Sequence, residues 1–520
     1  MDKKANRPYR KHPRMIVDRL FQLQYDMTQP RCGGTEFFMN FIPSMAQKEN
    51  EWNGNYFCTW CSQGGAAGMN EENMFGEKGL ISSYPDDGHK SELIVVYDDG
   101  WDIAPDTRNP EEIYRYGVGY PNPDRFPSTR GMTPPQALRW LVDQTTRYGF
   151  AGAGLWMPMQ TYRETDVMYD MDDFIAHYTK LAQWSQQAGI RYWKMDWGQH
   201  YWNNAEAREN VTKIARKYAP DLLVEHAHVC GSAAPEPNME TEEERAARLR
   251  HVCRVMNVSD FYRTYDCGGI TLIPTTVSRL SALLTIAPNL DENNGCRHII
   301  NVEDEVYIAA AMGATAGIMR NPVNGGATWN EVKRMLNWQR IMPPFALKND
   351  GNHVDDEWMR NEFVTQDHAV IKQSAPCRLS RNMPLADLSL KIGQYQPWVL
   401  CSTHPNGAVG VYSTRRTVPD WENCWAYADI TISVKTVDSP VGIFGESYDT
   451  LTLVYPQDVT QKHVWVQDLA DDTAYDVTDQ MQRTKNSLTL TRDQFPAFGL
   501  RVKAENDACM PGFMLRLLDD

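Results

Sequence analysis

Eight short apolar runs, each ending in polar residues, recur between positions 55 and 321, and they constrain this chain more than any other feature. They read NYFCTW (55–60), ELIVVYDDGW (92–101), FAGAGLWMP (150–158), IRYWKMD (190–196), DLLVEHAH (221–228), DFYRTYD (260–266), RHIINVED (297–304) and AGIMRN (316–321). Helix-patterned segments lie between them. TPPQALRWLVDQTTRYG opens on Thr133 and Pro134, MDDFIAHYTKLAQWSQQAG closes at Gly189, and ETEEERAARLRHVCRVM carries acids at its start. Short buried strands alternating with helices are the signature of a parallel α/β fold. Eight such units over roughly 270 residues predict a (β/α)8 TIM barrel, in which catalytic groups sit at the C-terminal strand tips. A doubly wound sheet would alternate in the same way, but no GxGxxG follows a strand.

The barrel is expected over residues 46–345, after an N-terminal arm or cap at 1–45. Beyond about Pro343 the helical period fades. Short alternating runs replace it: HAVIKQ, WVLCST, GAVGVYST, ADITISV, LTLVYP, KHVWVQDL, SLTLTRD and GLRVKAE, set apart by Gly, Pro, Asn and Asp. They predict a C-terminal antiparallel β-sandwich over 346–520.

A chain of 520 residues with 42% hydrophobic content can bury large cores. No run is long and apolar enough for a membrane span. The formal net charge of −15 argues against a nucleic-acid partner, which is bound through clustered Lys and Arg. Lys3, Lys4, Arg7, Arg10, Lys11 and Arg14 form a basic cluster with no apolar stretch after it. A soluble, cytoplasmic protein is therefore expected, or an exported one whose signal has already been removed. The 11 cysteines are odd in number and irregularly spaced, unlike a disulfide framework. Cys58 and Cys61 form a CxxC without a second pair, so a structural role is expected. The 16 Trp and 24 Tyr suit sugar faces as well as cores.

Acidic residues recur at the predicted strand tips: Asp98 and Asp99 in YDDGW, Asp196 in KMDWG, Glu225 in VEHAH, Asp266 in RTYDC, and Glu303 with Asp304 in NVEDE. Lys194, Arg263, Trp101 and Trp156 lie beside them. In a strand, Lys194 and Asp196 share one face while Trp193, Met195 and Trp197 share the other. Ionised carboxylates repel, and a fold tolerates their gathering mainly where function requires it. Two carboxylates between aromatic walls are what glycoside hydrolysis needs, with one as nucleophile and the other as general acid and then base.

YDDGW, KMD, YRTYD and NYFCTW resemble motifs of the clan of retaining α-glycosidases that contains α-galactosidases and α-N-acetylgalactosaminidases. RFPSTRGMTPPQALRWLVDQTTRYGFAGAGLWMPMQ and NVEDEVYIAAAMGATAGIMRN are similar to segments of its bacterial, melibiase-like members. The resemblance implies that Asp196 is the nucleophile and Asp266 the acid/base, with Arg263 as its orienting or substrate-binding partner. The spacing from Arg263 to Asp266 is one residue shorter than in many members. Asp260 in VSDFY is the alternate, and Asp266 is preferred as the one at the C-terminal tip. Lys194 would bond a sugar hydroxyl and keep Asp196 ionised. Asp98 and Asp99 would hold hydroxyls of the terminal sugar, and Trp101 would pack on its face, with Trp156 and Trp60 as weaker candidates. No cofactor and no metal are implied, and the substrate is an oligosaccharide or other glycoside.

EHAHVC leaves an alternative open. His226 and His228 alternate as a metal-binding HxH would, which suits a metal-dependent barrel hydrolase with an activated water. In the clan, however, substrate-selecting residues follow the fifth strand, so Glu225, His226 and His228 read as pocket-lining. A non-catalytic sugar-binding barrel is the third reading. Loop patterns do not name the sugar.

Overall fold

The computed structural model describes residues 52–85, 89–102, 118–159, 171–196, 205–226, 241–264, 272–291, 294–319, 328–348, 351–364, 370–391, 395–416, 427–503 and 508–519. Asp266, His228 and the expected arm at 1–45 lie outside these residues. Eight parallel strands close a barrel: β1 (Tyr56–Cys58), β2 (Ile94–Tyr97), β3 (Gly152–Met157), β4 (Tyr192–Met195), β5 (Leu223–His226), β6 (Phe261–Arg263), β7 (Ile299–Glu303) and β8 (Thr315–Ile318). Each pairs with its sequence neighbour, and β8 returns to β1. Every strand falls within one of the eight apolar runs or one residue from it.

The main helices of the ring are α1 (Pro134–Arg147), α2 (Met171–Ala188), α3 (Ala205–Tyr218), α4 (Glu242–Asn257), α5 (Leu272–Ile286), α6 (Val306–Met312) and α7 (Trp329–Gln339). Their ends follow local chemistry. Thr133 opens α1 ahead of Pro134, and its backbone N–H donates to the Gln136 side chain at 2.9 Å. Thr328 and Glu331 bond each other reciprocally across the first turn of α7. Gly189 ends α2 with φ of 78°, a conformation glycine adopts at no steric cost.

Alternation along the strands sorts side chains into two environments. Phe57, Val95, Tyr97, Leu155, Trp193, Met195, Val224, Tyr262, Ile300 and Val302 belong to the apolar layer shared with the helices. Tyr56, Cys58, Ile94, Val96, Tyr192 and Phe261 form a separate cluster inside the barrel, with Leu223 packed against it. Moving two residues toward the C-terminal end, the same inward face becomes charged: Asp98, Lys194, Asp196, Glu225, Arg263 and Glu303, all buried. The apolar floor fills the barrel, and the polar layer above it is the part available for chemistry.

Two further sheets form the C-terminal sandwich. One has eight strands in the order Ala474–Asp476, His463–Asp468, Gly512–Leu518, Val441–Gly445, Val409–Thr414, Trp398–Thr403, Arg378–Arg381, His353–Val354. The other has five: Asp387–Ser389, Ala428–Ser433, Tyr448–Val454, Ser487–Thr491 and Gln482–Arg483. Val399, Val411, Ile443 and Leu515 of the first sheet meet Ile430, Leu451, Leu453 and Leu490 of the second in one core. The expectation of a wholly antiparallel domain needs one correction, because three strand pairs are parallel. In each, the chain leaves a sheet, spends one strand in the opposite sheet and re-enters beside its earlier strand in the same direction. GLRVKAE contributes no strand over its described residues. Gln494–Gly499 is helical, and the strand expected there is instead Gly512–Leu518.

The first sheet buries its other face against the barrel. Leu400, Tyr412, Phe444 and Met514 share a cluster with Val306, Ile308 and Trp338 of α6 and α7. Glycines permit this approach, since a Cβ on Gly442 would lie 2.6 Å from the Trp338 ring, and one on Gly410 would lie 2.9 Å from the Ala311 backbone. Arg334 on α7 and Asp468 in the sheet form a fully buried two-point ion pair at 2.8 and 2.9 Å.

Candidate active site

The strand tips place two cations among four carboxylates. Lys194, from β4, donates to Asp98 Oδ2 at 2.7 Å, and the Cys58 thiol reaches the same oxygen at 3.1 Å. Asp98 Oδ1 accepts the backbone N–H of Asp99 at 2.8 Å, so both carboxylate oxygens of Asp98 are held. Burial and the Arg263 charge lower the affinity of Lys194 for its proton. Asp98, Cys58 and Asp196 outweigh them and hold its pKa well above the ordinary value. Lys194 is thus a fixed cation whose closest carboxylate is Asp98, rather than the Asp196 expected from their shared face.

Asp196 follows β4, and two other groups hold it. The Trp156 indole N–H donates to Oδ2 at 2.8 Å, and Arg263 Nη2 lies 3.3 Å from the same oxygen. Arg263 also donates to Glu303 Oε1 at 2.6 Å, and its Nε lies 3.7 Å from Glu225 Oε1. One guanidinium therefore reaches carboxyl groups carried by three staves of the barrel. Asp196 has a side chain 10% exposed, against 4% for Asp98, 2% for Glu303 and none for Glu225. It is the most exposed carboxylate of this group.

Glu225 lies on the floor. Tyr192 donates to Oε2 at 2.8 Å and Tyr56 to Oε1 at 3.3 Å. Burial pushes the Glu225 carboxyl up to about 7 against the opposing pull of Arg263, Lys194 and the Tyr192 hydrogen bond. Burial and the Glu225 charge together raise both tyrosines well above their usual value. Tyr56, Tyr192 and Cys58 were not among the expected site residues, and Glu303 was expected only as a strand-tip acid without a role, although strand parity marks all four. Each lies an even number of positions from an inward-facing neighbour on its own strand or tip.

Several expected residues occupy other places. His226 points outward: Arg208 of α3 donates to Nδ1 at 3.3 Å, and Nε2 pairs with Thr212 Oγ1 at 2.9 Å, whose hydroxyl passes on to the Val258 carbonyl at 2.7 Å. Both ring nitrogens are engaged, which leaves no lone pair for the metal reading. Burial, with Arg208 and Arg216, holds this imidazole well below its usual pKa and therefore neutral. His226 follows an inward Glu225 on a strand, so it has to face the helices and does not line the pocket. Trp101 is fully buried in the apolar layer, with its indole on the Trp156 carbonyl at 3.0 Å. It braces Trp156 and presents no face to a sugar. Asp260 precedes β6 and binds Arg216 at 2.5 Å and the Val224 N–H at 2.9 Å, at the opposite end of the strand from Arg263. These contacts give Asp260 a structural role.

No protein-family model matches the chain, and no curated protein does. Among solved structures it is similar to a provisionally assigned alpha-galactosidase from Bacteroides fragilis NCTC 9343, at 11% identity over 89% of this chain and 79% of that one, with a TM-score of 0.42. A provisionally assigned alpha-N-acetylgalactosaminidase from Bacillus halodurans C-125 is similar at 12% identity over 92% and 99%, with a TM-score of 0.38. An alpha-amylase from Geobacillus thermoleovorans, complexed with acarbose, is similar at 8% identity over 81% and 88%, with a TM-score of 0.36. All three likenesses are low in identity and in TM-score, and what this barrel can do is decided by its own side chains. No helix among the described residues is long and apolar enough to cross a membrane.

Proposed function

We propose that this chain is a retaining α-glycoside hydrolase of the α-galactosidase-like kind, working by double displacement with two aspartates. The observation that carries the reading is Asp196: the most open carboxylate of a buried polar layer, held on one oxygen by an indole N–H and a guanidinium. Those two groups fix that oxygen in place, as a positioned nucleophile requires. Asp196 attacks the anomeric carbon while a general acid protonates the departing glycosidic oxygen, giving a covalent glycosyl-enzyme. The same group then takes a proton from the water that releases the sugar, and two inversions restore the configuration.

Asp266 is assigned as the acid/base from its place in YRTYD. The Asp98–Lys194 pair and Asp99 are assigned to the hydroxyls of the terminal sugar, where a wrongly placed hydroxyl leaves a buried charge unmatched. Asp196→Ala is expected to abolish turnover of aryl α-glycosides with the fold intact, and added azide to restore it with a product of inverted configuration. Wild-type activity in that variant would remove Asp196 from the mechanism. Asp266→Ala should slow substrates with poor leaving groups far more than those with good ones, whereas Asp260→Ala should lower stability and leave that dependence unchanged.

A further inference from the structure

We infer that Arg208, on the helix outside the barrel, is a positioning residue for Asp196, acting through the main chain of the β4 tip. This rests on Asp196 being the nucleophile. Arg208 is fully buried. Its Nη2 donates to the Asp196 carbonyl at 2.9 Å and its Nη1 to the Met195 carbonyl at 3.2 Å, and Nη1 also meets His226 Nδ1 on β5 at 3.3 Å.

Among the described residues the last rung between β4 and β5 is Met195 opposite His226, one residue before the carboxylate-bearing Asp196. On its other side the Asp196 N–H is still tied to the Met157 carbonyl of β3 at 2.9 Å. Arg208 donates to both the Met195 and the Asp196 carbonyl and so fixes the peptide plane that follows the Asp196 Cα. The direction of the carboxylate toward Trp156 and Arg263 depends on that plane. A planar guanidinium can span two consecutive carbonyls and a ring nitrogen, which a single ammonium cannot. The hydrogen bonds from His226 to Thr212, and from Thr212 to the Val258 carbonyl, in turn hold the imidazole that Arg208 leans on.

The Trp156 indole N–H, bonded to Asp196 Oδ2 at 2.8 Å, is a reporter that needs no sugar. In protein labelled with 15N-tryptophan, the Trp156 signal is assigned with Trp156→Phe and compared in wild type, Arg208→Lys and Arg208→Met. Both variants are expected to move that signal and speed its hydrogen exchange. With p-nitrophenyl α-D-galactopyranoside as probe, kcat should fall by roughly 100-fold for Met and about 10-fold for Lys with KM little changed, the scale expected for a misplaced reacting group.

An unmoved Trp156 signal in a folded variant would overturn the proposal, as would failure of both variants to fold, which would leave Arg208 a structural residue only. Asp196→Ala in parallel separates the two ideas. If that variant remained active on the probe, the nucleophile assignment would fall while the indole measurement still reported on the Arg208 linkage.

Discussion

Glu225 makes the fold itself sensitive to pH in a direction opposite to most carboxylates. Its carboxyl is pushed up to about 7 in the folded barrel and has the ordinary value near 4.5 once unfolded. Between those values the folded state holds a proton that the unfolded state has lost. The stabilising effect is complete below about 4.5 and disappears as pH rises through about 7. A difference of about 2.5 in pKa, at 1.36 kcal/mol for each, amounts to about 3 kcal/mol across the window. Glu225→Gln removes the titration and keeps an acceptor for the Tyr192 or Tyr56 hydroxyl. Urea unfolding of both proteins from pH 4.5 to 8 tests the point through their difference. His226, held neutral, and His404, lowered to about 4, act in the opposite sense in both proteins and cancel. The stability of wild type relative to the variant should fall by about 3 kcal/mol as pH rises. A difference that stays flat, or grows with pH, would refute a protonated carboxyl on the barrel floor.

Trp156→Phe keeps the aromatic bulk and deletes one charge-assisted hydrogen bond to Asp196, so kcat/KM on an aryl α-glycoside should fall by ~10- to 100-fold, corresponding to about 1.5–3 kcal/mol. Arg334→Met leaves Asp468 buried with the Ala470 and Val502 N–H groups as its other donors, and thermal or urea unfolding should show a loss near ~3 kcal/mol, the low end for a broken buried pair. Gly442→Ala drives a methyl into the Trp338 ring and should cost ~1–3 kcal/mol by the same assays. A change within ~0.5 kcal/mol would mean that the sheet and α7 can slide apart there without penalty.

The barrel was legible because its physics is local. A strand buried on both sides must be apolar along its length, and the polar residues that end it must lie where the apolar layers stop. Lys194 and Asp196 could be placed on one face by parity alone, and the structure puts Trp193 and Met195 on the other. Parity applied with equal rigour would have turned His226 outward, because Glu225 precedes it. The HxH spacing was a pattern without a reference face. Which cation pairs with which carboxylate was beyond reach, since Arg263 on β6 reaches Glu303 on the adjacent β7 and Asp196 past β4, two strands away, by the length of its side chain. The sandwich was readable where one face meets the second sheet and the other meets solvent, as in Ala428–Ser433 with its alternating burial. Gly512–Leu518 escaped notice because it is buried throughout and does not alternate.

The sixth strand shows why the two assigned aspartates stand on different footing. Phe261 belongs to the inner cluster and Tyr262 to the outer layer, so Arg263 faces inward and even-numbered positions face the helices. Asp260 obeys that rule on Arg216, about 10 Å along the strand from Arg263 at ~3.3 Å per residue. Asp266 shares its parity and, in an unbroken strand, would face the helices as well. The last residue of β6 is Arg263, and the Thr264 N–H is still bonded to the Asn301 carbonyl at 3.0 Å. For Asp266 to serve as acid/base, the chain must leave the extended alternation between Thr264 and Asp266. Asp196 needs no such departure, because the alternation of β4 already delivers it to the interior.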